Sequence, residues 1–405
     1  MTNSAALDMP VTKIPLVDVA WQHRQLRPQL EQIFAQFLDD PACDGLEACL
    51  ELEKVFAAYF GPEFHATSVQ SGSAAEFLAL KALGIGPGDE VITVPNSDMA
   101  TTAAISHVGA RFIPVDVDAQ THNLDPALVA AAITPRTRAI MPVHMYGLPA
   151  EMAAIRAIAE AHGLLLIEDA TLALGAIHNG QKAGTWGDAA FFSFAPRKVL
   201  GAMGNGGMVL TRRADVAHAV RLYKGYGQDP AEGERPIVSR LQAARGEWWV
   251  EGHNLKLDPL QAAVVLAKFP HLDAWADLRQ AAADSYARRL ASLPDVQPPF
   301  VPAGARHAWR NYVVTLPAAK RAAVRAYLQA QGIHTSVLYT PPVHLQPVYA
   351  LLGLGPGSFP VTETLADKLL SLPLYPGIDE AQIAYVVDTL AAALAQTGTA
   401  TEVAA

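Results

Sequence analysis

The stretch that most constrains the fold runs from Thr67 to Glu168, where short apolar segments alternate with alanine-rich amphipathic ones. Thr67 to Gln70, Glu90 to Val94, Arg111 to Val115, Ala139 to Pro142 and Leu164 to Glu168 read as strands. Ser73 to Leu83, Thr101 to Val108, Pro126 to Ala132 and Glu151 to His162 read as the helices between them. A strand run that is apolar on both faces and separated by helices predicts a mostly parallel sheet covered by helices on both sides. Ala189 to Phe194 and Gly207 to Leu210 add two further strands.

The rest of the chain frames this unit. Helical stretches carrying Leu26, Leu30, Ile33, Phe34 and Phe37, and then Leu50 to Tyr59, lead into it and stop at Gly61-Pro62. A polar, glycine-rich segment from Gly225 to Gly246 reads as a surface loop. Leu257 to Leu293 reads as one long helical stretch with Leu260, Val264, Phe269 and Leu272 as core positions. Tyr312 to Leu316, a helix over Ala318 to Gln331 and a last helix over Glu380 to Leu394 predict a smaller α+β unit, with a frayed tail from Gln396. Residues 1–255 are expected to form an entry segment plus a large domain, and 256–405 a linking helix plus a small one. A chain of 405 residues, 51% hydrophobic, can bury two such cores.

Composition removes several function classes. A net charge of −9 without a lysine- and arginine-rich run argues against a nucleic-acid partner. No uninterrupted apolar run of about 18 residues points to a membrane, and Met1 to Val11 lacks the pattern of a leader, so a cytoplasmic location is expected. Cys43 and Cys49 lie close together without histidines at zinc spacing, so neither a metal site nor a disulfide framework is expected and each reads as packing or an idle thiol.

Three constellations carry chemistry. Ser71-Gly72-Ser73-Ala74 falls where a strand gives way to a helix, so amides and hydroxyls there can face a phosphate. Ile167-Glu168-Asp169-Ala170 ends a strand and puts an acid at the carboxyl edge of the sheet, where ligands of such folds bind. Phe192-Ser193-Phe194-Ala195-Pro196-Arg197-Lys198 carries a lysine just beyond an aromatic strand. Acid and lysine together fit pyridoxal phosphate, whose ring nitrogen needs a carboxylate and whose aldehyde needs an amine. The glycine-rich Gly84 to Gly88 and Gly204 to Gly207 fail the dinucleotide fingerprint, because they precede strands and open no helix.

The order of these blocks resembles the DegT/StrS sugar aminotransferases, fold-type I pyridoxal phosphate enzymes. Gly88-Asp89-Glu90-Val91-Ile92, Pro142-Val143-His144-Met145-Tyr146-Gly147, Gly252-His253-Asn254-Leu255-Lys256-Leu257-Asp258, Pro342-Val343-His344 and Ser371-Leu372-Pro373-Leu374-Tyr375-Pro376 extend the likeness over nearly the whole chain. It implies a large domain with a seven-stranded-type sheet and a smaller C-terminal α+β domain. It also implies Lys198 as the Schiff-base lysine and proton carrier, and Asp169 as the partner of the ring nitrogen. Gly72, Ser73, the Ala74 amide and Ser193 are expected at the phosphate. Asn254 is expected to reach the neighbouring subunit of a homodimer, and His344 to sit near the acceptor's entrance. L-glutamate is the expected donor and a keto-sugar nucleotide, specifically a nucleotide-linked deoxysugar, the acceptor. A keto-cyclitol acceptor, or a regulatory relative that binds the cofactor without turnover, are the alternatives. A sugar dehydratase is disfavoured, since those relatives carry histidine in place of the lysine. Two departures stand out: Leu172 occupies the place of a usual glutamine, and Pro95 to Thr101 lacks the usual aromatic, offering Asp98 or Met99.

Overall fold

The computed structural model describes residues 13–39, 45–228 and 248–402, with side chains to residue 396. Three helices come first: α1 (Val19–Gln25), α2 (Arg27–Asp39) and α3 (Leu46–Phe60). The alternation then runs β1 (His65–Val69), α4 (Gly72–Ala82), β2 (Glu90–Thr93), α5 (Met99–His107), β3 (Arg111–Pro114), α6 (Pro126–Ala132), β4 (Thr137–Ile140), α7 (Met152–His162) and β5 (Leu165–Asp169). Two-residue strands β6 (Ile177–His178) and β7 (Gln181–Lys182) precede β8 (Ala189–Ser193), β9 (Gly207–Thr211) and α8 (Ala214–Lys224).

The main sheet has seven strands in the order β1-β9-β8-β5-β4-β2-β3. Only β9 runs against its neighbours, pairing antiparallel with both β1 and β8, while β8, β5, β4, β2 and β3 are parallel. The expected mostly parallel α/β sheet is therefore present. Strand alternation builds its two faces. Phe191, Val209 and Ile167 pack with Leu78 of α4, Ile105 of α5 and Val220 of α8. Their neighbours Phe192 and Met208 turn to the other side and meet Phe56 of α3 and Val264. Leu166 joins Ile155 of α7 and Val129 of α6 on that second side. Phe56 is the hinge of this packing, with ring centroids 5.1 Å from both Phe60 and Phe192 and 5.8 Å from both Phe194 and Phe269.

Beyond residue 248 the chain forms α9 (Pro259–Lys268) and α10 (Leu272–Leu290), then β10 (Ala305–Arg306), β11 (Tyr312–Thr315), α11 (Ala318–Ala330), α12 (Pro360–Lys368), β12 (Leu369–Leu372) and α13 (Glu380–Glu402). The single helix expected over Leu257 to Leu293 is broken. A 3-10 turn at Phe269–His271 interrupts it, because Pro270 has no N–H to continue the helical ladder. Val264, Phe269 and Leu272 are buried as expected, whereas Leu260 is only half-buried. A second core joins Tyr286 and Leu290 of α10, β11, β12, α11 and α13, and it takes in Ile14 from the N-terminal segment. The final helix continues past Leu394 to Glu402, so the expected fraying from Gln396 is not what the structure shows. Phe34 is exposed despite its apolar spacing. Most of the loop expected over Gly225 to Gly246 lies outside the described residues, as do Met1 to Val11 and Cys43. Cys49 packs in the core, and burial pushes its thiol up to about 12. Among the described residues no helix is long and apolar enough to cross a membrane.

One strand start is under a tight steric limit. Gly207 pairs with Val69 on one side and Ser193 on the other, and a Cβ placed there would lie 2.3 Å from the Ser71 carbonyl oxygen. That contact is with backbone, which cannot swing aside. Gly207→Ala is expected to lower the unfolding free energy by about 1–3 kcal/mol, measured by urea titration, and to displace the turn between β1 and α4.

Candidate active site

The carboxyl ends of β1, β8 and β5 converge, and each delivers one of the expected groups. On β5 the pleat decides which acid does what. Glu168 points to one face, where it is fully buried and accepts hydrogen bonds from the amides of Gly184 (2.8 Å), Trp186 (2.6 Å) and Gly187 (2.9 Å) and from His144 Nε2 (3.0 Å). His144 Nδ1 accepts from the Ala150 amide, which assigns the ring proton to Nε2. Asp169 turns to the opposite face and is 3% exposed. Its Oδ1 accepts from the Thr171 amide (3.1 Å) and hydroxyl (2.7 Å), and its Oδ2 from Thr101 Oγ1 (3.0 Å). Those donors fix the carboxylate's orientation.

From β8 the chain turns at Phe194 into a closed loop. Phe194 donates its amide to Gly206, Lys198 to Ala195, and Ala202 to Phe194. Two cationic side chains pin the loop from behind. Arg279 of α10 donates to the Val199 carbonyl (2.9 Å), and the fully buried Lys268 of α9 to that of Gly201 (2.7 Å). Lys198 is half-buried within it. Burial is the main cause that pushes its amine down to about 8, and the Arg310 charge adds to this. Asp169, Asp98 and Glu76 pull the other way.

At the end of β1, Ser71 caps α4 and accepts the Ala74 amide at 3.1 Å. The Ala74 amide, expected at the phosphate, here donates to this cap. Gly72 and Ser73, the first two helical residues, keep N–H groups that no helical carbonyl can take. Ser73 is exposed. Gly72 sits so near β8 that a Cβ would be 2.7 Å from Ser193 Cβ, so glycine leaves room between helix end and strand end. Asn254 is exposed on the same edge, beside Gly225, and its neighbour Leu255 accepts from the Gln70 amide.

His344 departs from expectation. It is 1% exposed, bonded to Glu363 (3.1 Å) and packed edge-on against Phe359. A side chain enclosed within its own chain cannot line an entrance, and it braces the turn whose Val343 amide donates to Pro95. Asp98 caps α5 by accepting from the Ala100 amide and is exposed. Leu172 is buried among Tyr146, Val313 and Leu369.

Four residues of the site escape sequence reasoning. Thr101 holds Asp169 and is held by Ser97 (2.8 Å). Tyr339 is close enough to Asp98, Arg310 and Asp169 for their charges to act on its hydroxyl. Glu76 is buried in α4, one turn after Gly72, with Oε1 unpartnered; burial, then Asp169 and Asp98, hold it well above the usual carboxylate range. Arg310 is the fourth. A glutamate four residues after a capped glycine, on an otherwise apolar helix face, was the one legible signal among them.

The family model of the DegT/DnrJ/EryC1/StrS aminotransferases matches residues 32–391. The chain belongs to this family. It is 40% identical to a pleiotropic regulatory protein of Geobacillus stearothermophilus over 93% of this chain and 98% of that one. It is 38% identical to a dTDP-3-amino-3,4,6-trideoxy-alpha-D-glucose transaminase of Streptomyces venezuelae, over 93% and 95% of the two chains. The crystal structure of S. venezuelae DesV in complex with a ketimine intermediate superposes with a TM-score of 0.84 at 37% identity, covering 93% of this chain and 97% of that one. The chain is a pyridoxal phosphate-dependent aminotransferase of fold type I.

The residues present suit that cofactor. A buried carboxylate stands opposite a half-buried amine, and the space beside Ser193 is kept open by Gly72. An amine titrating near 8 is neutral in about one molecule in ten at pH 7, against about one in three thousand for an ordinary lysine. In the cofactor-free protein, reductive alkylation of Lys198 by a small aldehyde is expected to rise with pH through a midpoint near 8, followed by peptide mass spectrometry. Thr101→Val removes one of the donors to Asp169 and is expected to weaken cofactor binding about ten-fold, read by fluorescence titration.

Proposed function

We propose that the chain transfers an amino group from L-glutamate to the keto group of a nucleotide-linked deoxysugar, as a cytoplasmic homodimer. The observation that carries this reading is the convergence of Lys198, Asp169 and the α4 N-terminus at one edge of the sheet. The amino-sugar nucleotide in the name of the S. venezuelae relative supports the choice of acceptor.

Bound pyridoxal phosphate supplies an electron sink for the carbon that loses its proton. The chain's residues do the rest. Asp169 keeps a proton on the ring nitrogen. The amides of Gly72 and Ser73 and the hydroxyls of Ser73 and Ser193 hold the phosphate at the positive end of α4. Lys198 would hold the cofactor's aldehyde, and its Nζ would carry the proton of the carbon bearing the amino group. The same nitrogen runs the opposite transfer on the acceptor. Asn254, exposed beside the phosphate end, is assigned to the neighbouring subunit's site. The chain is read as a large unit to residue 255 and a linking helix plus small unit from 256.

A regulatory role without turnover is the second reading, favoured by the name of the Geobacillus relative and by Asp98 in place of an aromatic. Absorbance separates the two. The purified protein is expected to be yellow, to lose that band on adding L-glutamate and to regain it with a keto-sugar nucleotide. Lys198→Ala is expected to abolish the turnover, by about 1,000-fold or more for loss of nucleophile and proton carrier together. A wild type whose band no amino donor alters would sink the aminotransferase reading.

A further inference from the structure

Glu76 is a buried acid with no part in the chemistry assigned to Lys198 and Asp169. It lies on α4 one turn beyond Gly72, and residues four apart share a helix face. Gly72 is the residue pressed against Ser193 at the end of β8. The helix rests on the sheet through Ala75, Leu78 and Ala79, which share one core with Ile167 of β5, Phe191 of β8 and Val209 of β9. Ile167 and Asp169 are two apart on β5 and therefore point to the same face. Ile105 of α5 belongs to that core, and Thr101, one turn earlier on α5, donates to Asp169. Helices α4 and α5 and strand β5 thus bring two carboxyl groups, Glu76 and Asp169, to one side of the sheet, close enough for their charges and that of Lys198 to interact.

The two acids have different surroundings. Asp169 accepts three hydrogen bonds, all from uncharged donors. Glu76 is 2% exposed, and its Oε1 has no hydrogen-bond partner. As packing it is a poor choice, because an apolar side chain of that size would be favourable there, whereas a buried carboxyl group without a partner is destabilising. Burial, Asp169 and Asp98 favour its protonated form, and Lys198 opposes them. Arg310 acts in turn on Lys198, and Tyr339 feels Asp98 and Asp169. In the cofactor-free protein the pair is therefore one carboxylate and one carboxylic acid, as expected of two acids that share a space. A cation entering that space reverses the balance, since a second carboxylate then has a positive charge to face.

We propose that Glu76 is a second acid for the cofactor's ring nitrogen: it carries a proton in the cofactor-free protein, releases it to solvent when the protonated ring nitrogen binds, and joins Asp169 as counter-charge. This rests on the reading that gives Asp169 the ring nitrogen. The step is a proton transfer only: the O–H bond of Glu76 breaks, the proton goes to buffer, and no electrons are exchanged. Two counter-charges hold the ring nitrogen's proton to higher pH than one, which preserves the electron sink where Lys198 is neutral.

The test titrates full-length protein, freed of cofactor, with pyridoxamine 5′-phosphate, which has no aldehyde to bond to Lys198. Calorimetry from about pH 6 to 7.5, in buffers of different ionisation enthalpy, counts the protons released. Wild type is expected to release about one proton more than Glu76→Gln, which keeps the shape of the side chain but has no proton to lose. Its affinity relative to Glu76→Gln is accordingly expected to rise about ten-fold per pH unit over that range. Glu76→Leu, apolar and equally without a proton to lose, is expected to show the same difference and decides the matter if the amide does not fold in that position. Equal proton counts in wild type and variant overturn the proposal, whatever the affinities, and leave Glu76 a packing residue. A rise in the KM for the keto-sugar nucleotide with the count unchanged also overturns it and assigns the acid to the acceptor. Asp169→Asn, run alongside, tests the underlying reading separately: undiminished cofactor binding in that variant rejects Asp169 as partner of the ring nitrogen, while the proton count still decides on Glu76.

Discussion

The site depends on a pleat. Consecutive residues of β5 must face opposite sides of the sheet, so Glu168 and Asp169 cannot share an environment. Glu168 faces the chain's interior, where three amides and His144 satisfy its oxygens. A buried carboxylate with that many donors resists any shift in register, because slipping by one residue would strand a charge without partners. Glu168 thereby guarantees the position of Asp169, the acid proposed to act on the cofactor. His144 extends the lock, since its amide donates to the Asp169 carbonyl while its ring holds Glu168.

The lysine loop is fixed by a different device. A loop between strands has spare carbonyls, and two of them, on Val199 and Gly201, are taken by Arg279 and Lys268 from the helices behind. Burial lowers the Lys268 amine to about 8 and Arg279 to about 9, so both charges are held at some cost. Gly201 makes the closure possible, since a Cβ there would meet the Pro196 carbonyl oxygen at 2.3 Å. A rigid loop suits the role proposed for Lys198, because a misplaced amine loses rate steeply.

Much of this was legible in the chain. Apolar strands separated by amphipathic helices identify the sheet, and acid, lysine and serine-glycine turn fall at strand ends because parallel strands collect functional groups at their carboxyl edge. Illegible parts share a physical cause: they depend on contacts between distant residues or on elements too short to have a period. Thr101 meets Asp169 across 68 positions, and no spacing rule anticipates that. Strands β6, β7 and β10 have two residues each and carry no alternation to read. His344 misled because a histidine in a proline-rich turn looks equally suited to a ligand and to the core, and its partner Glu363 lies on a helix 19 residues on.

Charged groups from several elements surround Lys198. Asp98 is exposed and already engaged as the cap of α5, so its carboxylate adds potential without needing burial. Tyr339, from the C-terminal half, is half-buried, and the charges of Asp98, Arg310 and Asp169 act on its hydroxyl. The pocket is thus balanced between two sources. Asp169 at the end of β5 and Asp98 at the start of α5 raise the lysine's proton affinity, while Arg310 lowers it.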